Sequence, residues 1–303
     1  MNRHVSLAGF VSLHHLGVIR AHGPDASTFL QGQLTNDVST LGPTQMRLAG
    51  FCSAKGRLQA SFLVWKAADD DILLICAASV LPATLKRLSM FVMRARCKLT
   101  DATGDIPLTG FVGDSANAAT GSLNVWETRA QDATTWARLP DVADQARCIV
   151  AGVMPASDAN PPAIDLDSWR WLEVRSGIPL IEASTVDQFV PQMLNFELIG
   201  GVDFQKGCYP GQEVVARSQY RGTIKRRMFL FDCASAIQPG AEIFHSDDPG
   251  QPAGMVVNAA PGPSGDWSAL VEVKLAALEG GTLRVTGSDG PVLRPADLPY
   301  AVA

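Results

Sequence analysis

Between Arg57 and Trp65 the residues Leu58, Ala60, Phe62 and Val64 alternate with Arg57, Gln59 and Ser61. That period of two marks a strand with one face against a core. Gln45–Cys52 supplies the other arm of a hairpin, with Ser53-Ala54-Lys55-Gly56 as its connection. Upstream, Val18–Arg20 is a short strand that stops at Gly23-Pro24-Asp25, a turn that opens a helix with Phe29, Leu30 and Leu34 on one face. Downstream, Asp69-Asp70-Asp71 turns into the strand Ile72–Cys76. A helix over Pro82–Arg94 and a strand over Cys97–Thr100 close the unit. The order β-α-β-β-β-α-β predicts a layered sheet with helices on one side.

A faint repeat follows. Gly17–Ala26 resembles Ile106–Ala116, each running from an apolar strand through a glycine turn into a helix, so the second unit reads as a copy of the first. Ala156–Ser168, with Asp158, Pro161 and Pro162, reads as a loop or linker. After Lys225 the texture changes to short alternating runs at Met228–Phe231, Glu242–Phe244, Met255–Val257, Ala269–Val273 and Thr282–Val285. Gly and Pro separate them, which predicts a small all-β barrel. The expected domains are 1–105, 106–225 and 226–303, the first two α+β and the third all-β.

The 303 residues suffice for two or three domains at about 100–200 residues each. With 47% hydrophobic and 18% charged residues the chain buries real cores and is not disordered. The net charge of −5 argues against a general nucleic-acid coat and leaves a local basic site open. The longest apolar stretch, Ile72–Leu81, contains Ser79 and stops at Pro82, well short of the ~20 residues of a membrane span. Val5–Leu13 is interrupted by Ser6, Gly9 and Ser12, so no signal peptide is expected. The six cysteines are far apart with no C-x-x-C pair, which predicts neither disulfides nor zinc and fits a reducing cytoplasm.

The candidate chemistry lies in Lys206-Gly207-Cys208-Tyr209-Pro210-Gly211-Gln212-Glu213-Val214-Val215-Ala216-Arg217. Pro210 suits the first position of a helix and Glu213 its first turn, which would put Tyr209 at the cap and Cys208 just outside. Free first-turn N–H groups and Lys206 would then lower the thiol pKa. The spacing fits a buried cysteine in a tight turn equally well. From Lys206 to Arg227 six basic residues face one acid, Glu213, which implies an anionic partner: a polycarboxylate, a phosphate or RNA. Part of Lys225–Arg227 also reads as a solvated strand end.

Phe189-Val190-Pro191-Gln192-Met193-Leu194-Asn195, Gly200–Gln205 and Lys206-Gly207-Cys208-Tyr209-x-Gly211-Gln212-Glu213 together resemble the signature of the YgfZ family. Arg217, Arg221-Gly222 and Lys225-Arg226 extend the match. So do Gln31-Gly32-Gln33-Leu34-Thr35-x-Asp37-Val38, Cys52-x-Ala54-Lys55-Gly56-Arg57 and Leu298-Pro299-Tyr300, so it spans nearly the whole chain. The resemblance implies a folate-binding protein linked to iron–sulfur cluster maintenance and tRNA modification, related to the glycine-cleavage aminomethyltransferase. It implies an α+β fold with three domains in a cloverleaf: two related ferredoxin-like α/β sandwiches and a C-terminal β-barrel around a central folate site. It also implies Cys208 as the functional thiol, tetrahydrofolate or a derivative as cofactor, and Trp169, Lys206, Tyr209, Gln212, Glu213 and Arg217 as its contacts. No resident metal is expected. Pro210 departs from the family's usual Thr or β-branched residue. Leu16 stands where relatives offer one aromatic to folate, and Trp169 where they offer the other. Trp169 reads equally as a stacking surface or a core residue.

Aminomethyltransferases carry acidic residues after the equivalent of Gly56, where this chain has Leu58-Gln59-Ala60-Ser61, and Gln59 cannot act as a base. His14-His15 reads as a surface or packing pair. The expectation is therefore an accessory protein that supports iron–sulfur assembly proteins or cluster-dependent enzymes, with a folate-dependent one-carbon transferase as the alternative. Neither membrane binding nor direct RNA binding through Arg217–Arg227 is expected.

Overall fold

The computed structural model describes residues 7–154 and 161–302. The chain enters with β1 (Gly9–Ser12) and continues through β2 (Leu16–His22), α1 (Ala26–Gln31), β3 (Met46–Cys52), β4 (Leu58–Ala68), β5 (Asp71–Ala77), α2 (Leu81–Val92) and β6 (Lys98–Asp101). From β2 to β6 this is the β-α-β-β-β-α-β order read from the alternation. The five strands β2–β6 form an antiparallel sheet in the order β3-β4-β5-β2-β6. In β5 the period of two is divided between two cores. Ile72, Leu74 and Cys76 pack with α1 and α2, whereas Leu73 and Ile75 point to the opposite side. Both faces are buried, which is why the strand reads as one apolar run.

A second sheet is built by β7 (Leu108–Val112), α3 (Asp114–Thr120), β8 (Thr128–Gln131), β9 (Thr134–Val142) and β10 (Gln145–Ala151), followed by α4 (Leu166–Arg175). Its order is β1-β7-β10-β9-β8, with β1 antiparallel to β7 from Gly9↔Val112 to Ser12↔Thr109. The edge strand of the second sheet thus comes from the chain's first residues. The two five-stranded sheets share the core of Leu16, Val18, Trp65, Leu73, Ile75, Leu139 and Ile149, sealed by Trp169 and Leu172 of α4. Each such side chain removed from water contributes about 1.5–3 kcal/mol. The expected linker Ala156–Ser168 ends sooner than predicted: Asp165 caps α4 by accepting from the Ser168 N–H at 2.6 Å. Residues 156–160 of it lie outside the described residues.

After short 3-10 turns at Ala183–Thr185 and Pro191–Leu194 come α5 (Gln212–Tyr220), β11 (Arg226–Cys233), β12 (Glu242–His245), β13 (Asp248–Pro261), β14 (Trp267–Lys274), β15 (Leu283–Val285) and β16 (Arg294–Ala296). These strands form one antiparallel sheet in the order β15-β12-β13-β14-β11-β16. It curls until the Arg284↔Val292 bridge, just before β16, meets β15. That bridge is a narrow strap rather than a strand pair, so the unit is a half-barrel and not the closed barrel the texture predicts. α4 joins all three layers. Trp169 and Leu172 enter the core between the first two sheets, Val174 packs with Met228, Leu230 and Val257, and the Trp171 Nε1–H donates to Ser268 Oγ at 3.1 Å. No helix among the described residues is long and apolar enough to cross a membrane.

Candidate functional site

Three segments far apart in sequence are tied into one place. Thr35 Oγ1–H donates to Gly201 O at 2.6 Å and Asn36 Nδ2–H to Gly200 O at 2.7 Å, while the Asp203 N–H donates to Thr35 O at 3.0 Å. Lys206, 8% exposed, sends its ammonium to the carbonyls at the end of α1, donating to Gln31 O at 2.5 Å and Leu34 O at 2.6 Å. Gln31 O is an orphan acceptor of the helix C-terminus, where a cation is favoured, and Leu34 O lies in the turn just past it. Burial pushes the Lys206 pKa down to about 8, against the opposing pull of Asp37, Asp203 and Cys208. The ammonium also lies 5.0 Å from the centre of the Tyr209 ring. Lys206 therefore fastens the Cys208 loop to the Gln31–Val38 loop.

The helix after Cys208 starts later than the proline predicts. Gln212 N–H donates to Tyr209 O at 3.2 Å, and Gly211 has φ 79° and ψ 3°. Tyr209–Gln212 is thus a type II turn with Pro210 and Gly211 at its centre, the positions those residues favour. Gly211, not Tyr209, is the N-cap of α5. The glycine is required by the neighbouring hairpin: a Cβ on Gly211 would lie 2.3 Å from Ser53 O and 2.6 Å from Gly56 N. This places the Ser53–Gly56 turn directly against the Cys208 loop.

Among the six cysteines only Cys208 is exposed. Burial pushes the thiols of Cys52, Cys76 and Cys148 up to about 12, and raises that of Cys97. Cys208 is therefore not the buried cysteine that the spacing also allowed. The cation-rich stretch is divided. Arg226 pairs with Glu272 (Nη2–Oε2 2.9 Å), and Arg227, buried, pairs with Glu197 at 2.5 Å and donates to Gln192 O at 2.9 Å. Arg217, Arg221 and Lys225 remain exposed. Tyr209 is buried and its hydroxyl pKa is raised, by burial and then by Cys52. Gln212 is partly buried and Glu213 exposed in the first turn of α5.

A cavity of about 550 Å³, counting its open side, lies at the edge of the core between the two five-stranded sheets. Its walls include Leu16, Phe62, Leu139 and Ile149, and its polar groups include Arg147, Glu173 and Ser61. None of Cys208, Trp169, Lys206, Tyr209, Gln212, Glu213 or Arg217 is among its lining residues. Trp169 is the core residue of its two readings. It is fully buried, a Cβ on Gly110 would meet its ring at 2.6 Å, and its Nε1–H donates to Glu173 at 2.8 Å. Glu173 also meets His15 Nε2 at 2.9 Å. Burial pulls the Glu173 pKa up, but His15, Trp169 and Arg147 together hold it below the usual carboxylate range. Arg147 is 1% exposed, lies over the Trp169 ring at 5.7 Å, and is brought down to about 10 by burial.

Sequence reasoning missed Arg147, Glu173 and His15 as site residues. The signal for Arg147 was available: it is the one charge in Ala146–Ala151, a run otherwise apolar. Glu173 and His15 meet only through the fold, 158 residues apart.

The two sheets, the half-barrel and the central cavity define a class. Residues 3–151, which contain both five-stranded sheets, match the GCVT N-terminal domain family. The whole fold is similar to the glycine cleavage system aminomethyltransferase T from Bartonella henselae, with a TM-score of 0.76 over 98% of this chain and 87% of that one, at 18% identity. The chain is 35% identical over 230 residues to the tRNA-modifying protein YgfZ of Edwardsiella ictaluri (70% of this chain, 67% of that protein). It is 31% identical to that of Klebsiella pneumoniae over 235 residues (72% and 70%). The chain belongs to the YgfZ family of tRNA-modifying proteins.

Proposed function

We propose that the protein binds tetrahydrofolate, or a derivative, in the central cavity and supports tRNA modification as an accessory to iron–sulfur cluster assembly or repair, with Cys208 as its functional thiol. The observation that carries the folate reading is the cavity itself. An open pocket walled by Leu, Ile and Phe, with Arg147 and Glu173 among its lining residues, suits the edge of a flat heterocycle that has an apolar face and a hydrogen-bonding rim. The Nδ1 atom of His15 is buried without a partner beside Glu173, leaving polar capacity at the same end. Bound folate supplies a one-carbon carrier; Arg147 and Glu173 hold and orient it, and the surrounding apolar walls exclude water. The cloverleaf of three domains is part of the same proposal.

The carboxylate chemistry of a transferase finds little support. The one polar side chain that β4 places on the cavity wall is Ser61, whose hydroxyl donates to Pro179 O at 3.2 Å and accepts from the Ile181 N–H at 3.0 Å. Gln59 donates to Asp187 at 3.2 Å, away from the cavity. Cys208 lies outside the cavity, so the thiol acts at the surface, where a partner protein reaches it. One thiol is too few for a cluster that takes four ligands, so a partner supplies the others.

Titration with tetrahydrofolate, followed by tryptophan fluorescence, tests the cofactor; absence of saturable binding overturns that part. Cys208→Ala tests the thiol in a strain lacking the protein. Full restoration of cluster-dependent tRNA modification by that variant counts against it. Sustained formation of methylene-tetrahydrofolate from an aminomethyl donor would reinstate the transferase.

A further inference from the structure

We propose that the solvent face of α2 and the turn that leads from it into β6 form a contact surface for RNA, with phosphates taken by Lys86, Arg87, Arg94 and Lys98 and a base stacked on Phe91. The surface is separate from the cavity and from Cys208, and the choice of RNA rests on the tRNA-modification reading above.

Residues 81–98 carry Lys86, Arg87, Arg94, Arg96 and Lys98 and no carboxylate, in a chain of net charge −5. All five are exposed. Arg96 is held by Asp25 at 3.1 Å; among the described residues the other four have no ion pair. Set between them are Met90, Phe91 and Met93, exposed by 68%, 43% and 87%. These are not needed to fold the helix, whose buried side is Leu81, Thr84 and Leu88. Arg87 and Phe91 are one turn apart and share a face. Met93 ends the helix at φ 37°, where a side chain costs energy, and its thioether stands in solvent.

Exposed apolar groups rimmed by one sign of charge mark an interaction site. A second copy of the chain would oppose the same cations. A protein partner would need several carboxylates arranged around an apolar socket. An RNA strand repeats an anion and a flat apolar face at every nucleotide, which is the combination this surface complements. The Arg217–Arg227 stretch weighed from the sequence is the poorer candidate, because Arg226 and Arg227 are committed to Glu272 and Glu197.

The test is binding of fluorescein-labelled unfractionated tRNA to the full chain, measured across a series of KCl concentrations. Four phosphate contacts predict that log K falls against log[KCl] with a slope of about −3. Arg87→Gln with Arg94→Gln removes about half of that slope. Phe91→Ala weakens binding about tenfold or more at an unchanged slope, since stacking releases no counterions, and Phe91→Tyr restores it. Arg221→Gln with Lys225→Gln leaves binding as it was. Every substituted side chain is exposed, and melting curves verify that each variant is folded. Absence of salt-sensitive binding, or binding that the α2 variants leave unchanged, overturns the proposal. So does an unaffected tRNA affinity in Phe91→Ala combined with α2-dependent binding to phosphatidylglycerol vesicles, which reassigns the surface to a bilayer. Wild-type protein that binds tetrahydrofolate but no tRNA removes this surface and leaves the folate reading standing.

Discussion

Asp71 and Arg147 occupy the same position in two sheets of the same topology, and they are treated differently. The orders β3-β4-β5-β2-β6 and β8-β9-β10-β7-β1 correspond strand for strand, with β1 taking the place of β6. The turn glycines fix the register. Gly23 N–H donates to Asp70 O at 2.8 Å at the head of β5, and Gly113 N–H donates to Ala146 O at 2.8 Å at the head of β10. One residue further on stand Asp71 and Arg147. Asp71 is neutralised within its own sheet by a two-pronged bond from Arg20, Nε–Oδ1 2.8 Å and Nη2–Oδ2 2.5 Å. Arg147 has no ion pair among the described residues; it lies on Trp169 and lines the cavity. In the first copy the buried charge is paired with an opposite charge, and in the second it has only a backbone carbonyl, Pro140 O, which accepts from its Nε–H and Nη2–H at 3.2 Å. A charge that burial penalises and that the fold does not pair is where function is to be sought.

The largest effect is expected from the strand the copies do not share. Deleting residues 1–12 removes β1, which covers β7 and contributes Val11 to the core between the sheets. A loss above about 4 kcal/mol, beyond the range of ordinary substitutions, is expected in denaturant unfolding. An unchanged melting curve would break the equivalence of β1 and β6. The glycines come next. A Cβ on Gly23 would lie 2.2 Å from Arg96 O, just ahead of β6, and one on Gly113 would lie 2.5 Å from Leu7 O, just ahead of β1. Both have positive φ, 131° and 66°. Gly23→Ala and Gly113→Ala should each cost about 2–4 kcal/mol, from backbone collision plus left-handed strain. Unequal costs would show that the second edge is docked less firmly than the first.

The first copy was legible in the sequence because its hydrophobic period is regular and glycine and proline punctuate it. The repeat was faint because Gly23 and Gly113 serve the same turn while the residues around them diverged. β1 was missed, since four residues with Gly9 among them carry little period and their partner strand lies about 100 residues away in sequence. The motifs around Cys208 were legible as a site, but the start of α5 was not. Pro210 suits both the first position of a helix and the second of a type II turn, and only contact with Ser53 and Gly56 decides between them. Lys206 was read as a ligand contact because sequence does not reveal that its ammonium reaches the end of α1.

The paired charges sharpen the comparison with smaller effects. Asp71→Asn leaves Arg20 without its carboxylate and should lower stability by about 1 kcal/mol, with tetrahydrofolate affinity unchanged. Arg147→Met should do the reverse. Replacing a buried cation without a carboxylate partner by an apolar side chain of similar length gives up only the bonds to Pro140 O and is close to neutral, while tetrahydrofolate affinity should fall about tenfold or more. Thermal melting and fluorescence titration of both variants give the two readouts. Loss of stability without loss of affinity in Arg147→Met would make it a structural residue like its counterpart.

The smallest effect is a pH slope at Lys206, which serves the loops of the first copy only. Burial brings its pKa down to about 8, from an ordinary value near 10.5. Below about pH 8 the lysine is protonated in folded and unfolded chain alike, and the cost of burying the charge is fully present. Between about pH 8 and 10.5 the unfolded chain binds more protons than the folded one, so stability rises with pH, by at most about 1.4 kcal/mol per unit. Lys206→Met leaves the Gln31 and Leu34 carbonyls without their donor and should be less stable throughout. It also lacks the titrating group, so the gap between wild type and variant should widen as the pH is raised through this window. Parallel urea titrations at pH 7.5 and pH 9.5 measure that gap. A constant gap would mean that the ammonium exchanges freely with solvent, and that the Cys208 loop is held to α1 less tightly than the two carbonyl contacts imply.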